Sequence, residues 1–355
     1  MTKKQNIRHL SKEEIIEFFT SHAEKAFRAK QVYEWLWKKH AVSFDEMSNL
    51  SFATRQLLKD NFVINAITTS EEQVSSDRTI KNAFRLHDGN IVEGVLIPTP
   101  KRMTACISSQ VGCSLTCAFC ATGKLDRLRN IDADEIFDQV ALIKKQAEEK
   151  YNTPLTNIVY MGMGEPLLNY RNVLDSIEKI TSNEGLGMSP KRITVSTAGI
   201  AKMIKKLGDD EVKFNLALSL HAANDEKRSK IMPINEQNSL AILKEALIYF
   251  HERTVTRVTF EYIIFKDFND SLEDARELAE FCKVVPCKIN IIEYNPIDDA
   301  DFQKADAKKT DEFARFLEDR YHLIVNVRRS RGKDIDAACG QLANKNKAAF
   351  NKLKS

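Results

Sequence analysis

The spacing of hydrophobic residues predicts helices in the first part of the chain. Within Ala26–Lys39, the residues Phe27, Val32, Trp35 and Leu36 recur at intervals that place them near one face of a helix. Lysine side chains fill several intervening positions, as is usual on a solvent-facing side. We therefore expect a small helical module whose apolar residues form its own core.

The period of the pattern changes after this segment. Lys81–Leu86 and Ile91–Ile97 have the composition of strands, and the Asp-Gly pair within His87–Asn90 is a strong hairpin signal between them. From about residue 103, strand-like runs alternate with segments of helical period, two of which open with capping boxes at Asp132 and Ser271. The strand-like runs are Thr104–Ser108, Asn157–Met161, Arg192–Ser196, Phe214–Leu220, Val258–Phe265, Lys288–Tyr294 and Leu323–Val327.

This alternation predicts an α/β fold. About six β/α units in series form a parallel sheet, either open or closed into a full or partial barrel, with functional side chains at the carboxyl ends of its strands. The pattern divides the chain into a helical N-terminal accessory domain over residues 1–78, a β-hairpin extension over 79–102, a β/α core over 103–342 and a basic polar tail over 343–355.

Composition excludes some classes of protein. Hydrophobic residues make up 43% and charged residues 29% of the 355 positions, as in a typical globular protein. No apolar run approaches the roughly 18 residues needed to span a bilayer. The N-terminal residues Met1–Arg8 lack the apolar core of a secretion signal. We therefore expect a cytoplasmic protein without a membrane partner.

The net charge of +3 is too small to indicate a nucleic-acid partner by itself. Basic residues nevertheless cluster in three places, an arrangement that solvated surface charge explains at least as well as contact with phosphates. The clusters are Lys124, Arg127 and Arg129; Arg328, Arg329, Arg331 and Lys333; and Lys345, Lys347, Lys352 and Lys354.

Four of the seven cysteines fall within fifteen residues, which in a cytoplasmic chain indicates metal or redox chemistry rather than structural disulfides. Cys113, Cys117 and Cys120 have the spacing C-x3-C-x2-C. Structural zinc and fully protein-ligated clusters both require a fourth ligand, so three thiolates fit a 4Fe–4S cluster with one open iron. An open iron can chelate the amine and carboxylate of S-adenosylmethionine (SAM). A zinc site and three metal-free cysteines remain the alternatives.

Five stretches, in order, resemble the RlmN/Cfr family of radical SAM RNA adenosine methyltransferases. They are Cys106–Gly123, Met161–Asn169, Ser219–His221, Arg228–Asn235 and Asp334–Leu342. The resemblance covers nearly the whole chain. It implies a radical SAM partial (β/α)6 barrel with a small helical accessory domain that contacts RNA. It also implies two cofactors, SAM and a 4Fe–4S cluster held by Cys113, Cys117 and Cys120.

The same resemblance assigns SAM binding to residues at or just past the ends of predicted strands. They are Gly164, Glu165, Ser196, Ser219, Leu220, His221 and Asn295. Glycines before Glu165 would let the backbone approach a ligand closely, and the Glu165 carboxylate could accept a hydrogen bond from the amino group of SAM. Taken singly, the glycine-containing motif would more often be an ordinary turn and His221 a core histidine.

The resemblance further assigns catalytic roles to Cys339, Cys106 and Glu93. A ring carbon of adenine is electron-poor and does not attack a methyl sulfonium, whereas a cysteine thiolate accepts that methyl group readily. Cys339 would become S-methylcysteine, a radical from a second SAM would activate its methyl group, and Cys106 would resolve the RNA adduct through a disulfide with Cys339. Glu93 would be a general base, although Gly94 after it departs from the family's usual sequence. Taken singly, each of the two cysteines would more often be an inert buried residue.

The implied substrate is an adenosine turned out of its stack in folded RNA. The expected targets are 23S rRNA at the peptidyl-transferase centre and the anticodon loop of some tRNAs, and Pro166 favours methylation at carbon 2. The expected electron donor is a flavodoxin or ferredoxin, and the expected state is a monomer. The alternatives are carbon-8 methylation, a non-catalytic RNA-binding protein with a structural metal, and an activator of a glycyl-radical enzyme.

Overall fold

The computed structural model of the protein describes residues 4–298 and 300–344. Its N-terminal part contains β1 (Gln5–Asn6), α1 (Lys12–Ser21), α2 (Phe27–Trp37), α3 (Phe52–Asn61) and β2 (Phe62–Val63). The two short strands pair in parallel, which brings the ends of this segment together. The helical N-terminal region that the pattern predicts is therefore present, with a small strand pair added to it.

The buried face of α2 differs from the predicted one. Val32 and Leu36 are buried as expected, but the residues that join them in the core are Ala29, Tyr33 and Trp37. Phe27 is 52% exposed, because five residues, or about 140° of helix rotation, separate it from Val32. Trp35 also lies off this face, and the Lys39 ammonium group sits 3.8 Å from the centre of its ring.

Three antiparallel strands follow: β3 (Thr68–Val74), β4 (Ile80–Arg85) and β5 (Ile91–Thr99). The predicted hairpin is confirmed, with β4 and β5 paired from Ile80 opposite Leu96 to Arg85 opposite Ile91. Residues 68–74 pair with β4 and so belong to the sheet, whereas the hydrophobic pattern placed them in the helical segment. Their sequence, Thr-Thr-Ser-Glu-Glu-Gln-Val, has no apolar period by which a strand could be recognised.

The remaining elements form the barrel. They are β6 (Arg102–Cys106), β7 (Gln110–Val111), β8 (Arg129–Asn130), α4 (Ala133–Tyr151), β9 (Asn157–Tyr160), α5 (Tyr170–Thr181), β10 (Ile193–Thr197), α6 (Ala201–Asp209), β11 (Asn215–Ser219), α7 (Asp225–Ile231), α8 (Leu240–Thr254), β12 (Val258–Ile264), α9 (Leu272–Cys282), β13 (Cys287–Glu293), α10 (Ala307–Tyr321) and β14 (Val325–Arg328). None of the helices in the described ranges is long and apolar enough to cross a membrane.

Within the described residues the main sheet has ten strands, in the order β3-β4-β5-β6-β9-β10-β11-β12-β13-β14. From β6 onward each strand runs parallel to its neighbour, and six β/α units lead from β6 to α10. The predicted partial (β/α)6 barrel is thus confirmed. The carboxyl ends of these parallel strands share one rim, where the loops that follow them can build a site.

The N-terminal region is anchored to the barrel through α4. The guanidinium group of Arg8 donates to both carboxylate oxygens of Asp138 at 2.6 and 3.0 Å, and Asn6 donates to Asp134 at 2.7 Å. All four side chains are buried. A bidentate, buried pair of this kind fixes orientation as well as distance.

The two ends of the ten-stranded sheet meet through polar contacts. Beyond β14, the backbone N–H of Gly332 donates to the Asp77 carboxylate at 3.0 Å. Asp334 accepts from the backbone of Ser76 at 3.0 Å and from the hydroxyl of Ser75. The turn between β3 and β4 therefore joins the segment after β14, and we call this junction the seam.

Candidate functional site

The loop that carries Cys113, Cys117 and Cys120 starts just beyond the carboxyl end of β6. At its base, β7 and β8 pair antiparallel. Farther along, the N–H of Ala118 donates to the carbonyl of Ile231 in α7 at 2.9 Å. Strand pairing on one side and α7 on the other thus hold this loop, which we call the cluster loop.

Two of the three thiols of the cluster loop, those of Cys113 and Cys117, resist ionisation in the protein. Burial raises the pKa of Cys113 to about 11, and repulsion from Cys120 adds to the increase. Burial raises the pKa of Cys117 further, with repulsion from both other thiols. Thiols that resist ionisation in each other's company ionise when metal takes up their charge. Residues 113, 117 and 120 therefore fit a 4Fe–4S cluster.

The spacing of the three sulfur atoms disfavours a mononuclear zinc site. Ligands of one tetrahedral zinc, with Zn–S bonds of about 2.3 Å, lie about 3.8 Å apart. Within residues 4–298 and 300–344, groups of three candidate metal ligands within 4.8 Å of one another occur around Asp132, not in the cluster loop. At least one pair of the three sulfur atoms is therefore more than 4.8 Å apart, which suits ligands that each bind a different iron of one cluster.

Glu165 lies next to the cluster loop, after the end of β9. One carboxylate oxygen accepts from the backbone N–H of Ala198 at 2.7 Å, and the other from that of Leu167 at 3.0 Å. Burial raises the pKa of Glu165, while these hydrogen bonds oppose the rise. The side chain is thus fixed in place and would be stabilised by a cationic ligand such as an ammonium group.

Gly164 supplies the backbone turn before this carboxylate. Its φ is +93°, a conformation that side-chain-bearing residues rarely adopt, and a Cβ there would lie 2.4 Å from the Cβ of Gln110. The Gln110 side chain in turn accepts from the N–H of Glu165 at 2.9 Å. Glycine at position 164 therefore allows the close packing that orients Glu165.

Ser196 and Ser219 lie on the neighbouring strands β10 and β11. Their hydroxyl oxygens are 3.3 Å apart, so both side chains point to the same side of the sheet. Leu220 follows Ser219 and is fully buried. The structure thus brings together three of the predicted SAM contacts at the carboxyl ends of adjacent strands.

His221 is buried, with a left-handed backbone at φ +57°. Its Nδ1 accepts from the N–H of Ile263 at 3.0 Å, and its ring contacts the edge of Phe119 in the cluster loop at 4.7 Å between centroids. Burial lowers the pKa of His221 to about 3, and the charge of Arg228 contributes. The imidazole is therefore neutral near pH 7 and connects β11 to the cluster loop.

The segment around Cys339 docks on the same rim. Ala121 of the cluster loop donates its N–H to the carbonyl of Gly340 at 2.7 Å, and the Thr122 hydroxyl donates to the carbonyl of Leu342 at 2.7 Å. Asn295, just after β13, donates to the carbonyl of Cys339 at 3.2 Å. Asn295 thus contacts the Cys339 segment directly, although the sequence assigned it to SAM.

Cys106 and Cys339 share one electrostatic neighbourhood. Burial raises the pKa of Cys106 to about 12, with a further increase from the negative charge of Cys339. Cys339 is exposed, yet surrounding protein still desolvates its thiol and raises its pKa, with a contribution from Cys120 of the cluster loop. The structure therefore gathers the two isolated cysteines beside the three clustered ones.

Glu93, on β5, is buried beneath the Cys339 segment. One of its carboxylate oxygens accepts from the backbone N–H groups of Ala343 and Asn344 at 2.9 and 3.1 Å. The other lies 3.6 Å from the ammonium nitrogen of Lys81. In this arrangement the carboxylate holds the C-terminal segment in place.

Glu261 is a residue at this site that the sequence analysis missed. It lies on β12, is buried, and accepts from Asn290 at 2.7 Å through one oxygen. The other oxygen is buried without a hydrogen-bond partner among the described residues. Burial raises the pKa of Glu261, and its charge in turn raises that of Cys339. A lone carboxylate inside the otherwise apolar run Val258–Ile264 was the available signal.

The basic clusters are less open than their sequence indicates. Arg129 pairs with Glu135, Arg331 with Asp77, and Lys333 with Glu293. Arg329 also pairs with Glu293. These side chains contribute to the fold, which reduces the charge available to phosphates. The third cluster, from Lys345 to Lys354, lies outside the described residues.

Two family models match the chain. Residues 5–64 match the ribosomal RNA large subunit methyltransferase N-terminal domain, and residues 107–282 match the radical SAM superfamily. The chain is 65% identical over 341 residues to a probable dual-specificity RNA methyltransferase RlmN of Cytophaga hutchinsonii, covering 96% of this chain and 93% of that one. The chain belongs to the RlmN family of radical SAM RNA methyltransferases.

A more distant relative and a solved structure are also similar to the chain along nearly their whole length. The dual-specificity RNA methyltransferase RlmN of Campylobacter fetus is 39% identical over 356 residues, with 97% of this chain and 99% of the relative covered. The crystal structure of a radical SAM methyltransferase from Sphaerobacter thermophilus superposes with a TM-score of 0.90 at 37% identity, over 95% of this chain and 99% of the other. Membership of the family implies a 4Fe–4S cluster and SAM as cofactors.

Proposed function

We propose that this RlmN-family chain methylates carbon 2 of an adenosine in RNA through an S-methylcysteine formed on Cys339. The observation that carries the proposal is the docking of the Cys339 segment on the cluster loop, through Ala121 and Thr122. A methyl-carrying thiol has to lie beside the place where SAM is cleaved. The hydrogen bonds that Ala121 and Thr122 donate to this segment support such a position for Cys339.

Cys113, Cys117 and Cys120 would hold the cluster, and Glu165 would accept a hydrogen bond from the amino group of SAM. When bound, the cluster would supply one electron. SAM would supply a methyl group and, on cleavage of a second molecule, a carbon-centred radical. Ser196 and Ser219 would bind the rest of SAM from the ends of β10 and β11. Leu220 and His221 would close the site on its buried side.

Cys339 would carry the methyl group. Its thiol would lose a proton, its sulfur would form a bond to the methyl carbon, and the bond from that carbon to the sulfonium of SAM would break. The exposure of Cys339 within the rim supports this role, since the residue has to meet both SAM and RNA. After a hydrogen atom is abstracted from that methyl group, the same carbon would bond to the adenine ring, and the adduct would lose its ring proton to a base and its unpaired electron to the oxidised cluster.

Cys106 would release the product. Its sulfur would bond to that of Cys339, the bond between Cys339 and the methylene carbon would break, and the electron pair would pass to that carbon, which takes a proton. The charge interaction between Cys106 and Cys339 supports this pairing. Glu93 would be the general base for the ring proton, a role that requires Ala343 and Asn344 to leave its carboxylate.

The proposed substrates are an adenosine of 23S rRNA at the peptidyl-transferase centre and the anticodon-loop adenosine of some tRNAs. The curated relatives carry the description dual-specificity RNA methyltransferase, which supports two RNA classes. In the N-terminal accessory region, the 73% exposure of Phe52 and the 52% exposure of Phe27 offer aromatic surface for stacking on bases. A flavodoxin or ferredoxin would supply the electron to a monomeric enzyme.

Mass spectrometry of rRNA and tRNA nucleosides tests the proposal. A strain that lacks this gene should lose 2-methyladenosine, and the wild-type chain should restore it. Cys339→Ala should restore none, and its protein should carry no methyl group. Cys106→Ala should instead accumulate a covalent protein–RNA adduct. Recovery of 8-methyladenosine would overturn the position, and methylated RNA from Cys339→Ala would overturn the S-methylcysteine route.

A further inference from the structure

The Arg228–Asn235 stretch is a family motif to which none of the roles above is attached. Its first residue, Arg228 on α7, is fully buried. Within residues 4–298 and 300–344 its guanidinium group forms no ion pair with a carboxylate, and burial lowers its pKa to about 10. An isolated buried cation is costly unless another charge compensates it.

The hydrogen bonds of Arg228 all go to neutral oxygens. Nε donates to the carbonyl of Leu220 at 3.1 Å, and Nη2 donates to the carbonyl of Ala198 at 2.6 Å. Nη1 donates to the side chain of Asn235 at 2.7 Å, which closes the motif on itself. These bonds tie together the ends of β10 and β11. Asn235 in turn donates to the carboxylate of Asp225 at 2.9 Å, so Asp225 compensates part of the buried charge without a direct ion pair.

The cluster loop contacts the C-terminal end of α7, one turn beyond Arg228. Ala118 donates its N–H to the carbonyl of Ile231, and Ile231 and Met232 pack in one apolar group with Cys117 at its edge. Arg228 precedes Ile231 and Met232 by one helical turn, and its charge interacts favourably with that of Cys117. The buried cation therefore lies one helical turn from the residue that binds the cluster loop, and its charge acts on Cys117 of that loop.

We propose that Arg228 is a positioning residue that acts as the buried counter-cation of the cluster. Its positive charge stabilises the reduced cluster, which carries one more negative charge, and its hydrogen bonds hold the SAM-binding strand ends against the cluster loop. This inference rests on the three-thiolate cluster site of the proposed function. It assigns the motif a redox role in addition to a structural one.

A purely structural role makes a different prediction. If Arg228 only holds the strand ends together, every substitution that removes its hydrogen bonds should have the same effect on the reduction potential, whether or not it keeps the positive charge. If its charge matters, Arg228→Lys should keep the reduction potential, whereas Arg228→Gln should lower it. Asn235→Leu removes one hydrogen bond and keeps the cation, so it should weaken SAM binding and leave the potential unchanged.

The experiment is a redox titration of the reconstituted full-length protein with dithionite, followed by electron paramagnetic resonance of the reduced cluster. One electron enters per cluster, and no bond is made or broken. For Arg228→Gln we expect a tenfold lower ratio of reduced to oxidised cluster at a fixed potential, equivalent to about 59 mV for a one-electron couple. Arg228→Lys should stay within threefold of wild type. Arg329→Gln, an equal loss of charge at an exposed site, should leave the ratio unchanged.

Two results would overturn the inference. One is an Arg228→Gln protein that holds four irons per chain and titrates like wild type. The other, decisive even if the Gln variant does not fold or bind iron, is an Arg228→Lys protein whose ratio also falls tenfold. A wild-type protein that binds no 4Fe–4S cluster would instead refute the proposed function, so the two failures are distinguishable.

Discussion

The backbone N–H of Ala121 lies 2.7 Å from the carbonyl oxygen of Gly340. This bond joins the residue after the third cluster cysteine to the residue after Cys339. Because this bond joins two backbone groups, side-chain rotation does not change it. The bond therefore fixes the distance between the backbone of the proposed methyl carrier, Cys339, and the cluster loop. Alterations to this junction should therefore affect the position of Cys339 before they affect the barrel.

Gly340→Ala should loosen this junction. Gly340 has φ +84°, and a Cβ there would lie 3.1 Å from the carbonyl oxygen of Phe119. A left-handed conformation costs a non-glycine residue about 1–2 kcal/mol, and the close contact adds to the cost. We expect severalfold faster hydrogen exchange at Ala121, whose N–H is the donor of the bond. Gly89→Ala is the matched control, since Gly89 has φ +85° and open space around it; equal effects on exchange in the cluster loop would contradict the prediction.

Glu93→Gln should release the end of the Cys339 segment. An amide has one acceptor oxygen in place of two, and it cannot both face Lys81 and accept equally well from Ala343 and Asn344. A lost charge-assisted hydrogen bond costs about 1.5–3 kcal/mol, so the Ala343 and Asn344 amides should exchange at least tenfold faster. Unchanged exchange together with lost RNA methylation would show that Glu93 acts as a base and not as a clasp.

His221 should make the fold acid-sensitive. Its pKa is lowered to about 3 in the folded state and is about 6.5 when unfolded, so the unfolded chain binds the extra proton between these values. Its stabilising contribution is therefore complete above pH 6.5 and declines as the pH falls, with a slope approaching about 1.4 kcal/mol per pH unit. Urea unfolding of His221→Asn, which tolerates the left-handed backbone, should lack this component. Parallel pH profiles of the two proteins would be the contrary result.

The Arg8–Asp138 pair should contribute much more to stability than an exposed pair on the same helix. Arg8→Met leaves the buried Asp138 carboxylate with His40 and the N–H of Ile67 as partners but without its guanidinium group. Breaking a buried pair costs about 3–5 kcal/mol, and these two partners should bring the loss to the lower end of that range. Lys144 and Glu148, also on α4, form an exposed pair at 2.8 Å, and Lys144→Met should cost less than about 1 kcal/mol. Urea unfolding would measure both. Similar losses would mean that the N-terminal region is held mainly by apolar contacts.

Much of the barrel was predictable because local signals coincide with its elements. The capping boxes at Asp132 and Ser271 mark the starts of α4 and α9, as observed. The apolar runs mark the central strands to within about two residues. By contrast, β3 has no apolar period, and the outward position of Phe27 depends on which face of α2 meets the rest of the module.

Two kinds of signal predict the site from the sequence: the spacing of neighbouring residues and the motifs shared with a family. Contacts between residues far apart in sequence give neither signal. The cysteine spacing and the family motifs predict which residues form the site, yet no local pattern places Glu93 under Ala343, 250 positions away. The unpartnered oxygen of Glu261 also depends on packing across β12 and β13. Such relationships arise from the register of distant strands, which composition does not encode.

The seam between Asp77 and Gly332 has a consequence for how the protein opens. Neighbouring strands of the sheet share ladders of backbone hydrogen bonds, whereas the ring is completed there by side-chain bonds, some of them exposed to water. The free energy of local opening is low where few buried contacts hold two segments together, as at the seam. Asp334 lies five residues before Cys339, so an opening of the seam would first release the chain that leads to the proposed methyl carrier. Local opening at this junction would therefore move Cys339 while the strand ladders of the barrel stay intact.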